Sequence, residues 1–144
     1  YGYQRKKAYE SFHLKNNLKL HPHYYQDSLK DTTLTGIEMT KKLLNLKTPP
    51  TAIICSLDKY FIGCLQECQE RGMNTPKDIS IVGYNDHDNY LSSQNLTFIS
   101  HPLTKMGIMA VEILEKIEKG ENPSKLTKLI EPILNKGKSD GKIN

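Results

Sequence analysis

No stretch of this 144-residue chain approaches the ~18 consecutive apolar residues of a membrane span, and its mean hydropathy is -0.57, which excludes a helical membrane span. The opening YGYQRKKAYESF has no apolar run behind its basic residues. It is therefore not a secretory signal peptide, and the expectation is a cytoplasmic protein or a chain whose true N-terminus lies upstream. Cysteine is scarce: Cys55, Cys64 and Cys68 cannot all pair among themselves, and Cys55 sits inside the apolar AIIC. Reduced, buried thiols are expected. The net charge is only +4, lysine greatly outnumbers arginine, and the basic clusters are RKK (Arg5 to Lys7) and NKGK (Asn135 to Lys138). A nucleic-acid surface concentrates its cations in a stripe, so direct nucleic-acid contact by this segment is not expected.

Catalytic motifs are missing as well. There is no G-x-S-x-G elbow, no P-loop and no G-x-G-x-x-G, and Ser, His and Asp suggest no triad, so no enzyme is expected. Five histidines (His13, His21, His23, His87 and His101) lack the convergent thiolates or acids of a zinc site. Cys64 and Cys68 share their helical register with Phe61 and Leu65, which reads as packing. No metal and no cofactor is expected.

What is present is a soluble composition, 37% hydrophobic and 25% charged, long enough for one core. Residues Gln4 to Asn17 predict a helix with Ala8, Tyr9 and Phe12 on its apolar side. HPHYYQD (His21 to Asp27) reads as an extended strand. Thr35 and Gly36 open a second helix running to about Leu46, with Ile37, Met39, Leu43 and Leu44 near helical spacing. TAIICS (Thr51 to Ser56) is short and almost wholly apolar, as in a parallel strand buried on both faces. Asp58 is placed to cap a helix from Lys59 to Arg71 that Gly72 closes. ISIVG (Ile79 to Gly83) and LTFIS (Leu96 to Ser100) read as further strands, and Pro102 leads into a helix that Gly120 stops. LIEPIL (Leu129 to Leu134) reads as a last strand, confined by Pro132 to a sheet edge.

This alternation of strand and helix predicts α/β architecture with a doubly wound, mainly parallel sheet. Ligands bind such sheets beyond the C-terminal strand ends, here Ser56 to Asp58 and Tyr84 to Asn89. The acids there, Asp58, Asp86 and Asp88, suit ligand hydroxyls, a divalent cation or phosphorylation. Helix capping and a solvated loop account for them equally well. A phosphoacceptor would need an acidic pair near an earlier strand, and the chain offers none.

Several motifs arrive in the order found in one family. PTAIICSLD is similar to P-T-A-I-x-x-x-N-D, RGMNTPKDISIVGYND to G-x-x-V-P-x-D-I-S-V-V-G-F-D-D, and LTFISHPLTKMG to L-T-T-V-x-Q-P-x-x-x-M-G. RKKAY at Arg5 to Tyr9 is similar to R-x-x-G-F, and KGKS near the end to the R-x-S close. These resemble the effector-binding domain of lactose-repressor (LacI/GalR) family transcription regulators, over nearly all of residues 1–144.

The resemblance implies a periplasmic-binding-protein-like (type I) two-lobed domain, of which this chain is mostly the C-terminal lobe. The implied function is allosteric control of DNA binding by a small-molecule effector, in a homodimer that meets DNA only through an N-terminal helix-turn-helix absent from this sequence. A transporter's periplasmic-type sugar-binding protein is the alternative, and a sugar or nucleotide enzyme on the same scaffold a third. Residues Leu96 to about Gly120 would cross to the absent lobe, leaving an apolar helix face for the fragment to cover by dimerising.

By the same resemblance the effector positions are Arg5, Asp31, Leu57, Asp58, Asn85 and Asp86. Arg5 matches an arginine that forks onto sugar hydroxyls or a carboxylate. Leu57 stands where an asparagine would hydrogen-bond, Asn85 where the first aspartate of G-F-D-D would be, and Asp31 where an aromatic would stack on the sugar. The implied effector is a sugar or a sugar phosphate, and the cation at Arg5 with the amide at Asn85 suits the anionic kind.

Overall fold

Helix starts and stops follow from local chemistry in the computed structural model, which describes residues 2–84 and 90–142. The first helix, α1 (Gly2–Lys15), ends where Asn17 turns to φ 53°. The amide of Asn17 then donates to Leu14 O and that of Leu18 to His13 O, closing two carbonyls that the helix leaves open. The same pair of bonds, through Gly72 and Met73, closes α3 (Asp58–Glu70), and through Gly120 and Glu121 it closes α5 (Leu103–Glu118). α2 (Thr33–Leu44) begins two residues before the expected Thr35, because the Thr32 hydroxyl accepts the Thr35 amide at 3.1 Å.

Four strands form one sheet in the order β1 (Ala52–Ile54), β2 (Ser80–Tyr84), β3 (Phe98–Ser100), β4 (Ile133–Asn135). The first three are parallel, with Ile53 opposite Ile81 and Gly83 opposite Phe98. β4 is antiparallel to β3 on the sheet edge, as Pro132 requires, although it starts later than LIEPIL suggests. A short helix, α4 (Tyr90–Ser93), lies between β2 and β3 and buries Leu91. The α/β class and the parallel-dominated sheet are as the alternation predicts.

Three readings are corrected. His21 to Asp27 is no strand: Pro22–Tyr24 make a 3-10 turn, and the extended backbone at Tyr25 meets no sheet edge among the described residues. An extended segment without a partner strand leaves its amides and carbonyls to water and side chains. β1 is buried on one face only, since Ile53 and Cys55 enter the core while Ile54 is 68% exposed. The apolar side of α1 stays open at Ala8 and Phe12, and the half-buried side is that of Arg5, Lys6, Tyr9 and His13.

The core lies between the sheet and the α2–α3 pair. Phe61, Cys64, Ile79, Ile81 and Leu91 are fully buried there. The two helices cross at glycines: a β-carbon on Gly36 would sit 2.7 Å from both the Tyr60 Cα and its carbonyl oxygen, and one on Gly63 would strike the α2 backbone at Thr33 and Ile37. All three cysteines are free and buried, as expected. The Cys64 thiol is pushed up chiefly by its hydrogen bond with Cys55, and that of Cys68 by its bond with Cys64, so neither is an activated nucleophile. Glu67, also buried, accepts from Arg71 Nε at 2.6 Å and faces Lys41 Nζ at 3.5 Å, joining the far ends of α2 and α3.

A second clamp holds the chain's end. Ser139 fills the gap where β2 and β3 diverge: its hydroxyl accepts the Thr97 amide at 2.8 Å and donates to Ile81 O at 2.7 Å, while its own carbonyl accepts the Ile81 amide at 2.7 Å. Nothing comparable holds α5. None of its residues is buried, and Leu103, Ile108, Val111 and Leu114 are each more than half exposed.

Candidate functional site

Parallel register sets the C-terminal ends of β1, β2 and β3 side by side, so the residues at or just after them share one sheet edge. Ser56 follows β1, Tyr84 ends β2, and His101 follows β3. α1 delivers Arg5 to this edge. The half-buried guanidinium donates from Nη1 to the Ser56 carbonyl, and its carbon lies 3.7 Å from the Tyr84 ring centroid. A cation over an aromatic face is attracted by the ring quadrupole. His101 meets the edge of the same ring, with centroids 5.4 Å apart and planes at 71°.

Arg5 forms no ion pair among the described residues, whereas Arg71, the chain's other arginine, is spent on buried Glu67 and on Asn45. A guanidinium carries five N–H donors in a planar fork, and the described protein contacts use one of them. The site thus presents a fixed cation at the place where α/β sheets take ligands.

The neighbouring acids have quieter occupations. Asp58 is not the cap of α3 but its first residue, because Leu57 takes the extended cap conformation; Asp58 Oδ1 accepts the Lys59 amide at 2.8 Å. Its negative charge still suits the positive end of the helix dipole. Leu57 packs against the core, and its backbone carbonyl accepts the Phe61 amide, so its side chain supplies shape but no hydrogen bond. Asp31 Oδ1 accepts from the Tyr60 hydroxyl at 3.0 Å. Burial, and then this bond to Asp31, push the Tyr60 phenol up to about 12.

Of the six positions read from the sequence, Arg5 is brought to the strand ends beside Leu57 and Asp58, and Asp31 is tied to the first turn of α3 through Tyr60. Asn85 and Asp86 lie outside the described residues. Sequence patterns did not single out Tyr60, and they raised His101 only as a metal ligand, a reading set aside above. Their signals were an aromatic two residues beyond the strand-end acid and a histidine directly after a strand. Among the described residues no group of three or more His, Cys, Asp or Glu is placed to hold a metal, and no helix is long and apolar enough to cross a membrane.

Comparison with known proteins gives a consistent set. Residues 1–139 match the family model of the periplasmic binding protein-like domain. The chain is 38% identical over 92 residues to the HTH-type transcriptional repressor PurR of Glaesserella parasuis, covering 62% of this chain and 27% of that protein. It is 32% identical over 130 residues to the ribose operon repressor of Haemophilus influenzae, covering 89% of this chain and 39% of the relative. The crystal structure of a regulatory protein of the LacI family from Chloroflexus aggregans superposes with a TM-score of 0.84 at 27% identity, over 95% of this chain and 50% of that one. The chain therefore spans well under half of these curated relatives and half of the solved chain.

Proposed function

Since the chain belongs to the periplasmic binding protein-like domain family, we propose that it is the C-terminal half of the effector-binding domain of a bacterial transcription regulator. Its effector is a small polar molecule, a sugar or a sugar phosphate. The carrying observation is Arg5, set at the C-terminal strand ends on the Ser56 carbonyl and the Tyr84 ring, with no carboxylate partner among the described residues. Effector binding there biases the arrangement of two lobes and, through it, DNA binding by a helix-turn-helix elsewhere in a cytoplasmic homodimer. The named relatives are repressors, which favours this reading over a transporter's solute-binding protein. No catalytic role is proposed.

The test is calorimetric titration of the whole natural protein with D-ribose and with D-ribose 5-phosphate. Arg5→Ala is expected to weaken binding by ~1.5–3 kcal/mol, the scale of a hydrogen bond to a charged group. Unchanged affinity removes Arg5 from the site. Reading the gene upstream of Tyr1 separates the two classes of protein: a helix-turn-helix supports the regulator, and a signal peptide supports the solute-binding protein.

A further inference from the structure

We infer that Tyr60 is a positioning residue of this site: its hydroxyl holds the Asp31 carboxylate on α3, apart from Arg5, and so keeps that cation open to an effector bearing an anionic group. The inference rests on the effector reading above. Arg5 and Asp31 reach the junction of β1 and α3 from different parts of the chain. Arg5 donates to the Ser56 carbonyl, and Asp31 Oδ1 accepts from the Tyr60 hydroxyl at 3.0 Å. Two opposite charges are thus fastened to the short stretch from Ser56 to Tyr60, and among the described residues no ion pair joins them.

The nearby acids differ in how they are held. Asp27 Oδ1 accepts the Ser28 amide at 2.9 Å and Asp58 Oδ1 the Lys59 amide at 2.8 Å, so each is turned onto its own backbone. Asp31 has no such local donor among the described hydrogen bonds, and its partner is a side chain 29 residues away on another helix. The Tyr60 ring is 9% exposed and packed in the core, whereas Asp31 is exposed, so the donor is the rigid member of the pair. The phenolic proton also points at Lys30 O, 3.1 Å away, which steadies the backbone beside Asp31. Without this hydroxyl the carboxylate is free to turn, and the unused N–H groups of Arg5 are donors that can receive it. Such an internal pair competes with an anionic ligand for the same fork. Asp86 and Asp88 lie outside the described residues, so the share of Asp31 is isolated by a double-mutant cycle.

The experiment titrates the whole natural protein calorimetrically with D-ribose 5-phosphate and with D-ribose, and follows the ratio of the two affinities. Tyr60→Phe keeps the ring in the core and removes only the hydroxyl. The ratio of phosphate to ribose affinity is expected to fall roughly two- to fivefold, the scale of an exposed ion pair formed in competition. In the Asp31→Asn background the same substitution is expected to leave the ratio unchanged, because no carboxylate is released. A merely structural effect of the lost hydroxyl lowers both affinities together, and matching circular dichroism of the variants excludes a folding effect. An unchanged ratio in Tyr60→Phe, with both sugars still bound and Arg5→Ala still weakening them, overturns the role of Tyr60 while leaving the effector site standing. An equal fall in both backgrounds overturns the route through Asp31. Binding of ribose alone overturns the anionic effector, and binding of neither sugar by the wild type overturns the sugar-site reading; either result takes this inference with it.

Discussion

Replacing Ser139 with alanine removes one oxygen from the most densely bonded point of the sheet. The hydroxyl is shared by two groups that have no water within reach, since Ser139 and Thr97 are 1% exposed and Ile81 is 0% exposed. Its loss leaves the Thr97 amide and the Ile81 carbonyl without these partners. A buried polar group left unpaired costs about 1–3 kcal/mol, so the pair costs about 2–4 kcal/mol after some relaxation. The vacated volume, one hydroxyl, is too small to admit a bridging water. With a urea slope of about 1.5 kcal/mol per molar, the unfolding midpoint should fall by roughly 1–3 M at an unchanged slope. Hydrogen exchange supplies an independent reading, in which the Thr97 amide loses protection more than the rest of β3. Ser93→Ala is the control, because that hydroxyl donates to Tyr90 O at 2.8 Å on an exposed surface; it should stay within about 0.5 kcal/mol. A Ser139→Ala shift no larger than that of Ser93→Ala would refute the claim that this network joins the chain's end to β2 and β3.

Gly63→Ala drives a methyl group into the α2 backbone, and a loss of about 1–3 kcal/mol or more in chemical denaturation is expected, whereas Gly107→Ala, inside α5 with open space around it, should stabilise by roughly 0.5–1 kcal/mol. Tyr60 has a folded-state phenol raised to about 12 from 10.0, so its contribution is complete below pH 10 and is lost as pH rises through about 12; ultraviolet phenolate absorbance should show a late step near pH 12 that Tyr60→Phe removes, while the raised Tyr9 and Tyr25 phenols remain. Asp140 shows the opposite sign. Its carboxyl is held below the usual range by hydrogen bonds from Lys136 and Thr97, so its contribution is present above the ordinary carboxylate range and lost as pH falls through the depressed value. Acid titration of stability should be shallower in Asp140→Asn than in the wild type. Arg71→Ala leaves the buried Glu67 carboxylate without its 2.6 Å partner at the α2–α3 junction and should destabilise by about 3 kcal/mol in thermal or urea unfolding, more than Lys41→Ala on the exposed side of the same cluster.

Local chemistry carried much of the fold. The helix ends at Asn17, Gly72 and Gly120 were legible because a residue willing to take positive φ follows an amphipathic run, and each closes the same two carbonyls. β2 was legible because an apolar run too short for a helix and flanked by polar loops has one economical arrangement, a strand inside a sheet. HPHYYQD misled because strand propensity belongs to a pair of strands: aromatic residues favour a pleated surface only where a neighbour offers an unpaired edge. TAIICS misled on Ile54 for a related reason, since periodicity reports that a side chain is apolar and not whether another element covers it.

The candidate site divides in the same way. Leu57 and Asp58 were legible as positions because a parallel sheet puts its ligands at strand ends, whereas Arg5, on a helix far from any strand in sequence, was marked by the family resemblance alone. That Arg5 bridges Ser56 and Tyr84, that Asp31 serves Tyr60, and that His101 shares the Tyr84 ring depend on residues 17 to 79 positions apart in the chain. By itself, then, the sequence determined the long helices, their C-terminal stops, the parallel class of sheet and the family resemblance, all of which rest on short-range patterns. Only the tertiary structure decided which faces are covered and which charges meet, because burial and electrostatic pairing are set by distances across the sheet that no local spacing encodes.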